Sequence, residues 1–317
     1  MPHSLKFSYR LIPFTAITFD LFWSLHPWMG EEIPSSLQQS FTRTGILNPP
    51  CLIPTENKTE YTILTGHRRF LFAQTNSATK QQILCKCYQY QPSPQHCLNI
   101  IAADQQFSGE GLSLAEKAQL LHLASRQLSK NEVFKEFFPM LELKRNPELF
   151  KTLLHLAREN KKLLQDIHTG QISLQIYTEL QQLPENDRTA LLNLFEILQL
   201  GGGKQRRFLQ QIRDCAYRKS QTIPQFLEKT KIKNILEHNK LNITQKTQHL
   251  GRVLENFLQP RLQQAEQEFN NKIRQLSLPN NYEVEHSPAF EKNEVSLKIK
   301  FSNLNDCRQY IIKSMTQ

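Results

Sequence analysis

Four residues in a row, Gly66, His67, Arg68 and Arg69, carry the clearest chemistry in this chain. They follow an apolar alternation, "YTILT", and lead into a second apolar run, "FLFA". A glycine lets the backbone come close to a ligand. A helix that starts just after it aims its N–H groups and the positive end of its dipole outward. Arg68 and Arg69 add forked donors that match phosphate oxygens, and His67 adds a third basic group. The pattern offers phosphate binding, to a nucleotide or to a nucleic-acid backbone. The bland alternative is a glycine–arginine turn on a solvated surface.

A second group lies in "VFKEFFPMLELKRNPELFKTLLHLARE". One helix is expected to end near Leu141, and "ELKR" then forms a turn that holds Lys144 and Arg145. Asn146 caps a second helix with Pro147 at its first position. Lys151, His155 and Arg158 fall at i, i+4 and i+7 on one face of that helix, and Leu149, Phe150, Leu153, Leu154, Leu156 and Ala157 cover the rest. This is helix-turn-helix spacing, with an apolar face to pack and a basic face to enter a major groove. An ordinary amphipathic helix pair is the alternative. Glu142 stands in the turn where a small residue is more usual.

The net charge of +10 is concentrated rather than spread. Residues 1–110 carry an excess of +1, 111–200 of 0, 201–261 of +9 and 262–317 of 0. A basic stripe is the footprint of a nucleic-acid contact. Lys204, Arg206 and Arg207, in "KQRRFLQQIRDCAYRK", open it, and "KTKIKN" continues it. A neutral 111–200 block needs phosphate contacts from elsewhere, and this stripe is the expected source. A lysine-rich solvated helix face is the alternative.

The six cysteines, at 51, 85, 87, 97, 215 and 307, are too sparse for a disulfide scaffold. Cys85-x-Cys87 with Cys97 and His96 does not match the spacing of a zinc ribbon, so reduced, partly buried thiols are expected and no metal site is assigned. No run of about 18 apolar residues reads as a membrane span. "MPHSLKFSYRLIPF" lacks the continuous apolar core of a signal peptide, which leaves a cytoplasmic, nucleoid-associated address as the expectation.

The elements that must position these groups change along the chain. In the first hundred residues "YRLIPFTAITF", "EYTILT" and "QQILCKCYQY" read as strands, "IPSSLQQSFTRTG" and "HRRFLFAQT" as short helices. "ILNPPCLIP" is extended because its prolines forbid a helix. "QPSPQ" reads as a turn or linker. From Ser113 the pattern is helical, opening on a Ser113/Glu116 capping box, with joints at Gly170 and Pro184 and a flexible "GGGK" at 201–204. After a long helix in "RLQQAEQEFNNKIRQL", "EVSLKIKF" alternates as a half-buried strand with Val295, Leu297, Ile299 and Phe301 on one face. "YEVEH" is its hairpin partner and "NDCRQYIIKSM" a closing helix.

The order helix, "GILNPP" (residues 45–50), strand, "TGHRRFLFA" resembles the ParB family of DNA partition proteins, whose N-terminal domain has a G-I/L-x-Q/N-P box and then a G-E/H-R-R box. Here the boxes are Gly45, Ile46, Asn48 and Pro49, then Gly66, His67, Arg68, Arg69 and Ala73. The resemblance implies a CTP-gated clamp in which Gly45, Asn48, Gly66, His67, Arg68 and Arg69 hold the nucleotide, with Mg²⁺ as companion. "LSLAEKA" and "LLQDIHTGQISLQIYTELQQLP" are similar to later family stretches that flank its helix-turn-helix. The family's E-N-x-Q-R box is eroded in "DQQFSGEG": Asp104 and Gln105 are the nearest equivalents, and the expected arginine falls near Ser108. That erosion counts against CTP hydrolysis more than against nucleotide binding.

The expected fold is therefore α+β: a small mixed α/β ParB/sulfiredoxin-like domain (1–111), an all-α helix-turn-helix domain (112–200), a basic helical segment (201–261) and a helix–hairpin–helix module (262–317). The expected partners are double-stranded DNA and a second copy of the chain, with no membrane. Sulfiredoxin chemistry is not expected, because Gly66 replaces the cysteine of that family's G-C-H-R. A ParB-like metal nuclease is the enzymatic alternative, with Asp20, Glu31, Glu32 and Asp104 as its carboxylates in no evident cluster. An adaptor that retains the fold without binding DNA is the third reading.

Overall fold

The computed structural model describes residues 6–29, 33–56, 60–76, 81–106 and 111–315. The chain divides into two compact units, Met1–Gln182 and Leu183–Gln317. The break falls beside Pro184, one of the joints expected from sequence. The boundary expected at 111/112 lies inside the first unit, and the one near 200 inside the second.

The first unit opens with a mixed sheet. Its strands are β1 (Phe7–Pro13), β2 (Ile17–Thr18), β3 (Cys51–Pro54), β4 (Tyr61–Thr65) and β5 (Gln82–Tyr88), in the order β1-β5-β3-β4-β2. β3 runs antiparallel to β4 and parallel to β5, so it is central and all four of its residues are buried. β5 alternates: Ile83, Cys85 and Cys87 face the core with Leu52, Ile63 and Phe70, while Gln82 and Leu84 face outward. The cysteines thus pack as small apolar side chains. Burial pushes the Cys85 thiol up to about 12 and those of Cys87 and Cys97 to about 11. They stay protonated, a form that packs well and ligates metal poorly.

Helices α1 (Ser35–Thr44) and α2 (His67–Asn76) are as the sequence implies, and Gly45 ends α1 at φ 72°. One helix differs from expectation. In "QPSPQ" residues 91–93 are a connection as expected, but Pro94 already begins α3 (Pro94–Gln106). Ser93 caps it through the His96 amide, proline suits its first position, and Cys97, Leu98, Ile101 and Ala102 recur at helical spacing and are buried.

The rest of this unit is helical: α4 (Leu114–Gln127), α5 (Lys130–Met140), α6 (Pro147–Leu156), α7 (Lys161–His168) and α8 (Leu174–Gln181). α4 packs against α3, α5, α6 and α7 and is the hub of the unit. Its Ser113/Glu116 capping box forms as expected. The Asn146 side chain accepts from the amides of Glu148 and Leu149 at 2.8 and 3.3 Å and fixes the start of α6. Glu142, just after α5, takes a left-handed backbone at φ 55°. That conformation favours glycine, the physical reason a small residue is usual there.

In the second unit α9 (Glu185–Ile197) precedes α10 (Gly202–Arg218). "GGGK" is not a flexible joint. Gly201 is the cap of α10 and the next two glycines are in its first turn. Gln205, buried, donates to the Leu200 carbonyl at 2.7 Å and anchors that turn. Helices α11 (Ile223–Leu227), α12 (Thr230–Glu237), α13 (Ile243–Leu258) and α14 (Pro260–Gln275) follow. The chain then forms the hairpin β6 (Tyr282–His286) with β7 (Val295–Ile299), and α15 (Leu304–Met315). β7 is less buried than its alternation predicts. Tyr310 packs on Tyr282 and Phe301 at one end of the hairpin, and Val295 and Leu297 are left 59% and 52% exposed.

Replacing the Asn146 cap leaves two amides of α6 without their side-chain acceptor. Asn146→Ala is expected to lower the stability of the chain by about 1 kcal/mol, read as a lower urea midpoint at unchanged slope. An unchanged midpoint would mean that packing alone holds α6.

Candidate functional site

A cavity of about 960 Å³ opens in the first unit. Its walls are the end of β4, the first turn of α2, the C-terminal turn of α1 with the segment to Asn48, part of α3, the entry to α4, the 21–26 loop and the end of α7. Gly45, Asn48, Gly66, His67, Arg68 and Arg69 all line it.

The two sequence boxes meet there, at the end of the β3–β4 pairing. Gly66 has φ 89°, and a Cβ built on it would lie 2.9 Å from Pro50 Cα. Only glycine satisfies both the backbone angle and the close approach. Arg69 completes the junction: Nη1 donates to the Asn48 carbonyl at 2.8 Å and Nη2 to the Asp104 carboxylate at 2.5 Å. So the box at 45–50, the box at 66–69 and Asp104 of the eroded third box share one bonded junction. The position of the missing arginine, Ser108, lies outside the described residues.

The basic residues of the turn differ from one another. Arg69 lines the cavity with its charge countered by Asp104. Arg68 is largely buried; burial lowers its pKa, and the Glu116 carboxylate partly restores it. His67 brings no charge. It is 8% exposed, its Nε2 is 2.8 Å from the Asp20 carbonyl, and burial holds its pKa at about 4. At neutral pH it is a neutral imidazole that donates to that carbonyl and ties the 19–22 loop to α2.

The same cavity holds a group that no sequence motif announces. His26 Nε2 is 2.6 Å from Glu116 Oε1, and His168 Nδ1 is 3.8 Å from Glu116 Oε2 and 2.9 Å from the Ser113 hydroxyl. Burial alone would raise the Glu116 carboxyl. The hydrogen bond and charge of His26 and the bonds from Ser113 outweigh it and hold the carboxyl at about 2. Burial lowers the pKa of both His26 and His168, and the charge of Arg68 lowers both further. The Glu116 carboxylate and the His26 ring are thus bonded to each other on the cavity wall. His26 and Glu116 stand 90 residues apart, so no local spacing links them. The one sequence trace is Glu116, a capping-box acid that is also buried.

The residues expected to meet DNA are placed as follows. Lys144 and Arg145 are exposed in the connection between α5 and α6, with Arg145 5.5 Å over the Phe134 ring. Lys151 is exposed and paired with Glu148 at 2.8 Å. His155 is bonded by Gln181 at 2.8 Å and lies 3.3 Å from the Tyr177 hydroxyl. α6 ends at Leu156, so Arg158 lies in the following turn rather than on the helix. The Asn160 cap of α7 requires the chain to turn there. In the second unit Lys204 and Arg206 are exposed, and Arg207 bonds Glu255 at 2.6 Å. Arg206, Arg213 and Tyr217 line one exposed stripe of α10, and the last two stand outside the residues that the sequence singles out. Of the nuclease carboxylates, Asp20 accepts from the Phe22 amide and Asp104 binds Arg69. Glu31 and Glu32 lie outside the described residues.

His67 carries a pH dependence whose sign follows from its lowered pKa. The folded state holds it neutral and the unfolded state protonates it near pH 6.5, so its stabilisation is present above 6.5 and is lost as pH falls toward 4. The full loss is about 3 kcal/mol. His67→Gln, which keeps a donor for the Asp20 carbonyl, should flatten the fall in urea midpoint between pH 7 and 4.5. An identical fall in wild type and variant would exclude His67 as its source.

No family model matches the chain, and no curated protein matches it. Among solved structures it is similar to the C-terminally truncated chromosome-partitioning protein ParB from Caulobacter crescentus complexed with CTP-gamma-S, at 15% identity over 56% of this chain and 94% of that one, with a TM-score of 0.25. It is similar also to that truncated protein complexed to the centromeric parS site, at 14% identity over 63% of this chain and 97% of that one, with a TM-score of 0.28. These superpositions are loose, and the functional reading rests on the residues themselves.

Proposed function

We propose that this chain is a DNA-binding protein of ParB type in which the cavity of the first unit binds a nucleotide. The observation that carries the reading is the junction of the two boxes, with Gly66 pressed on Pro50 and Arg69 joining the Asn48 carbonyl to Asp104. The antiparallel pairing of β3 with β4 brings Pro50 beside Gly66, and Arg69 extends that contact to Asp104. The first turn of α2 supplies the dipole and amides that favour a phosphate, and Arg68 sets a largely buried guanidinium beside it. The cavity suits CTP or another nucleotide through its phosphates.

The companion Mg²⁺ fits less well. Mg²⁺ takes oxygen ligands. Asp104 is engaged by Arg69, and Glu116 sits between two imidazoles. No step is assigned to that ion, and CTP hydrolysis is not part of the proposal.

DNA contact is proposed through two surfaces, one in each unit. One is the helix-turn-helix reading of α5 and α6, with Lys144, Arg145, Lys151, His155 and Arg158. The other is the basic face of α10, with Lys204, Arg206, Arg207 and Arg213. A nucleoid-associated address follows from the same reading.

Recovery of fragmented host DNA by the pure protein, with and without CTP, tests the whole proposal. Sharp peaks support a specific site, and no recovery at near-physiological salt sinks the DNA reading. Arg206→Ala with Arg213→Ala should reduce the slope of log affinity against log salt by about 2, one for each phosphate no longer neutralised. Arg68→Ala should weaken CTP binding about 10- to 100-fold, as expected for removal of a charge-assisted bond. Equal CTP affinity in a folded Arg68→Ala protein would remove the nucleotide from this cavity.

A further inference from the structure

We propose that His26, Glu116 and His168 form a binding site for a divalent transition metal, with zinc as the best fit, on the wall of the first unit's cavity. The inference does not depend on the nucleotide reading. Each residue offers one ligand atom, and the three atoms lie within 4.8 Å of one another. Two imidazoles and one carboxylate are a donor set that zinc and iron(II) use when a coordination position is left for a further ligand. All three residues line the cavity, so that open position faces it.

The three donors are held as ligands are held. Their side chains are only 14%, 9% and 24% exposed. The Trp28 ring packs against both imidazoles, at 5.5 Å from His26 and 5.7 Å from His168. The Ser113 amide donates to Glu116 Oε2 at 2.7 Å, while the Ser113 hydroxyl bonds His168 Nδ1 and has to release that nitrogen to a metal bound there. A supporting bond such as the first orients the ligating group and sets metal affinity. The three come from three places in the fold: the 21–26 loop, the first turn of α4 and the end of α7.

Chemistry narrows the ion. Nitrogen donors disfavour Mg²⁺ and Ca²⁺, which take oxygen. Arg68 adds positive charge nearby and opposes a cation, so an anion in the open position would offset part of the excess charge. Metal entry requires the 2.6 Å contact between His26 and Glu116 to widen, since ligands of one tetrahedral ion at about 2 Å stand about 3.3 Å apart.

The test uses the full chain stripped with a chelator. Zinc uptake by equilibrium dialysis should reach one ion per chain, and cobalt(II) should give the visible absorption of a four- or five-coordinate nitrogen–oxygen site without thiolate charge-transfer bands. His168→Ala should weaken zinc by more than about 100-fold, beyond the loss expected for a supporting residue. His26→Gln serves as the second variant, with circular dichroism as the check on folding. No stoichiometric uptake would overturn the proposal and leave the group a hydrogen-bonded triad. Uptake with thiolate bands, or uptake that neither variant weakens, would also overturn it.

Discussion

A missing side chain organises the first unit. At Gly66 the chain leaves a buried strand and enters α2 with its Cα side against Pro50. The left-handed angle and the steric gap are both glycine's. Because the two segments touch there, Arg69 can span from the Asn48 carbonyl to Asp104. That guanidinium connects the end of the segment after α1, the first turn of α2 and the last turns of α3. The cavity exists because these three are held at one distance.

The same wall carries opposed electrostatics. Arg68 and Glu116 sit close enough to influence one another, and Glu116 in turn holds two imidazoles. Buried charge is tolerated only when it is paired or hydrogen-bonded. Here Arg69 is paired with Asp104, and α4, the hub of the unit, supplies the acid that bears on Arg68.

Much of this was legible. Periodicity found β4, α2 and β5, capping rules found the start of α4 and of α6, and glycine found the turn at 66. These are local signals, set within one or two turns of chain. The failures have physical causes too. α3 was hidden because two prolines and a serine read as a linker, although Pro94 sits where a helix accepts it. "GGGK" reads as flexible in isolation, yet the buried Gln205 anchors it. His67 reads as a cation by type and becomes neutral by burial. The exposed Val295 and Leu297 follow from a small module with too few groups to cover them. The His26–Glu116–His168 group was invisible because it exists only after the 21–26 loop, α4 and α7 come together.

The buried thiols have a consequence of another kind. With their acidities suppressed by burial, Cys85, Cys87 and Cys97 are poor nucleophiles while the sheet is closed. Cys215 is suppressed in the same way within the second unit. At these four buried positions a thiol reagent therefore reacts only as fast as the chain breathes, whereas Cys307 is partly exposed. The buried cysteines are clocks already wired into each unit, and their labelling rates time the transient openings of the one separately from those of the other.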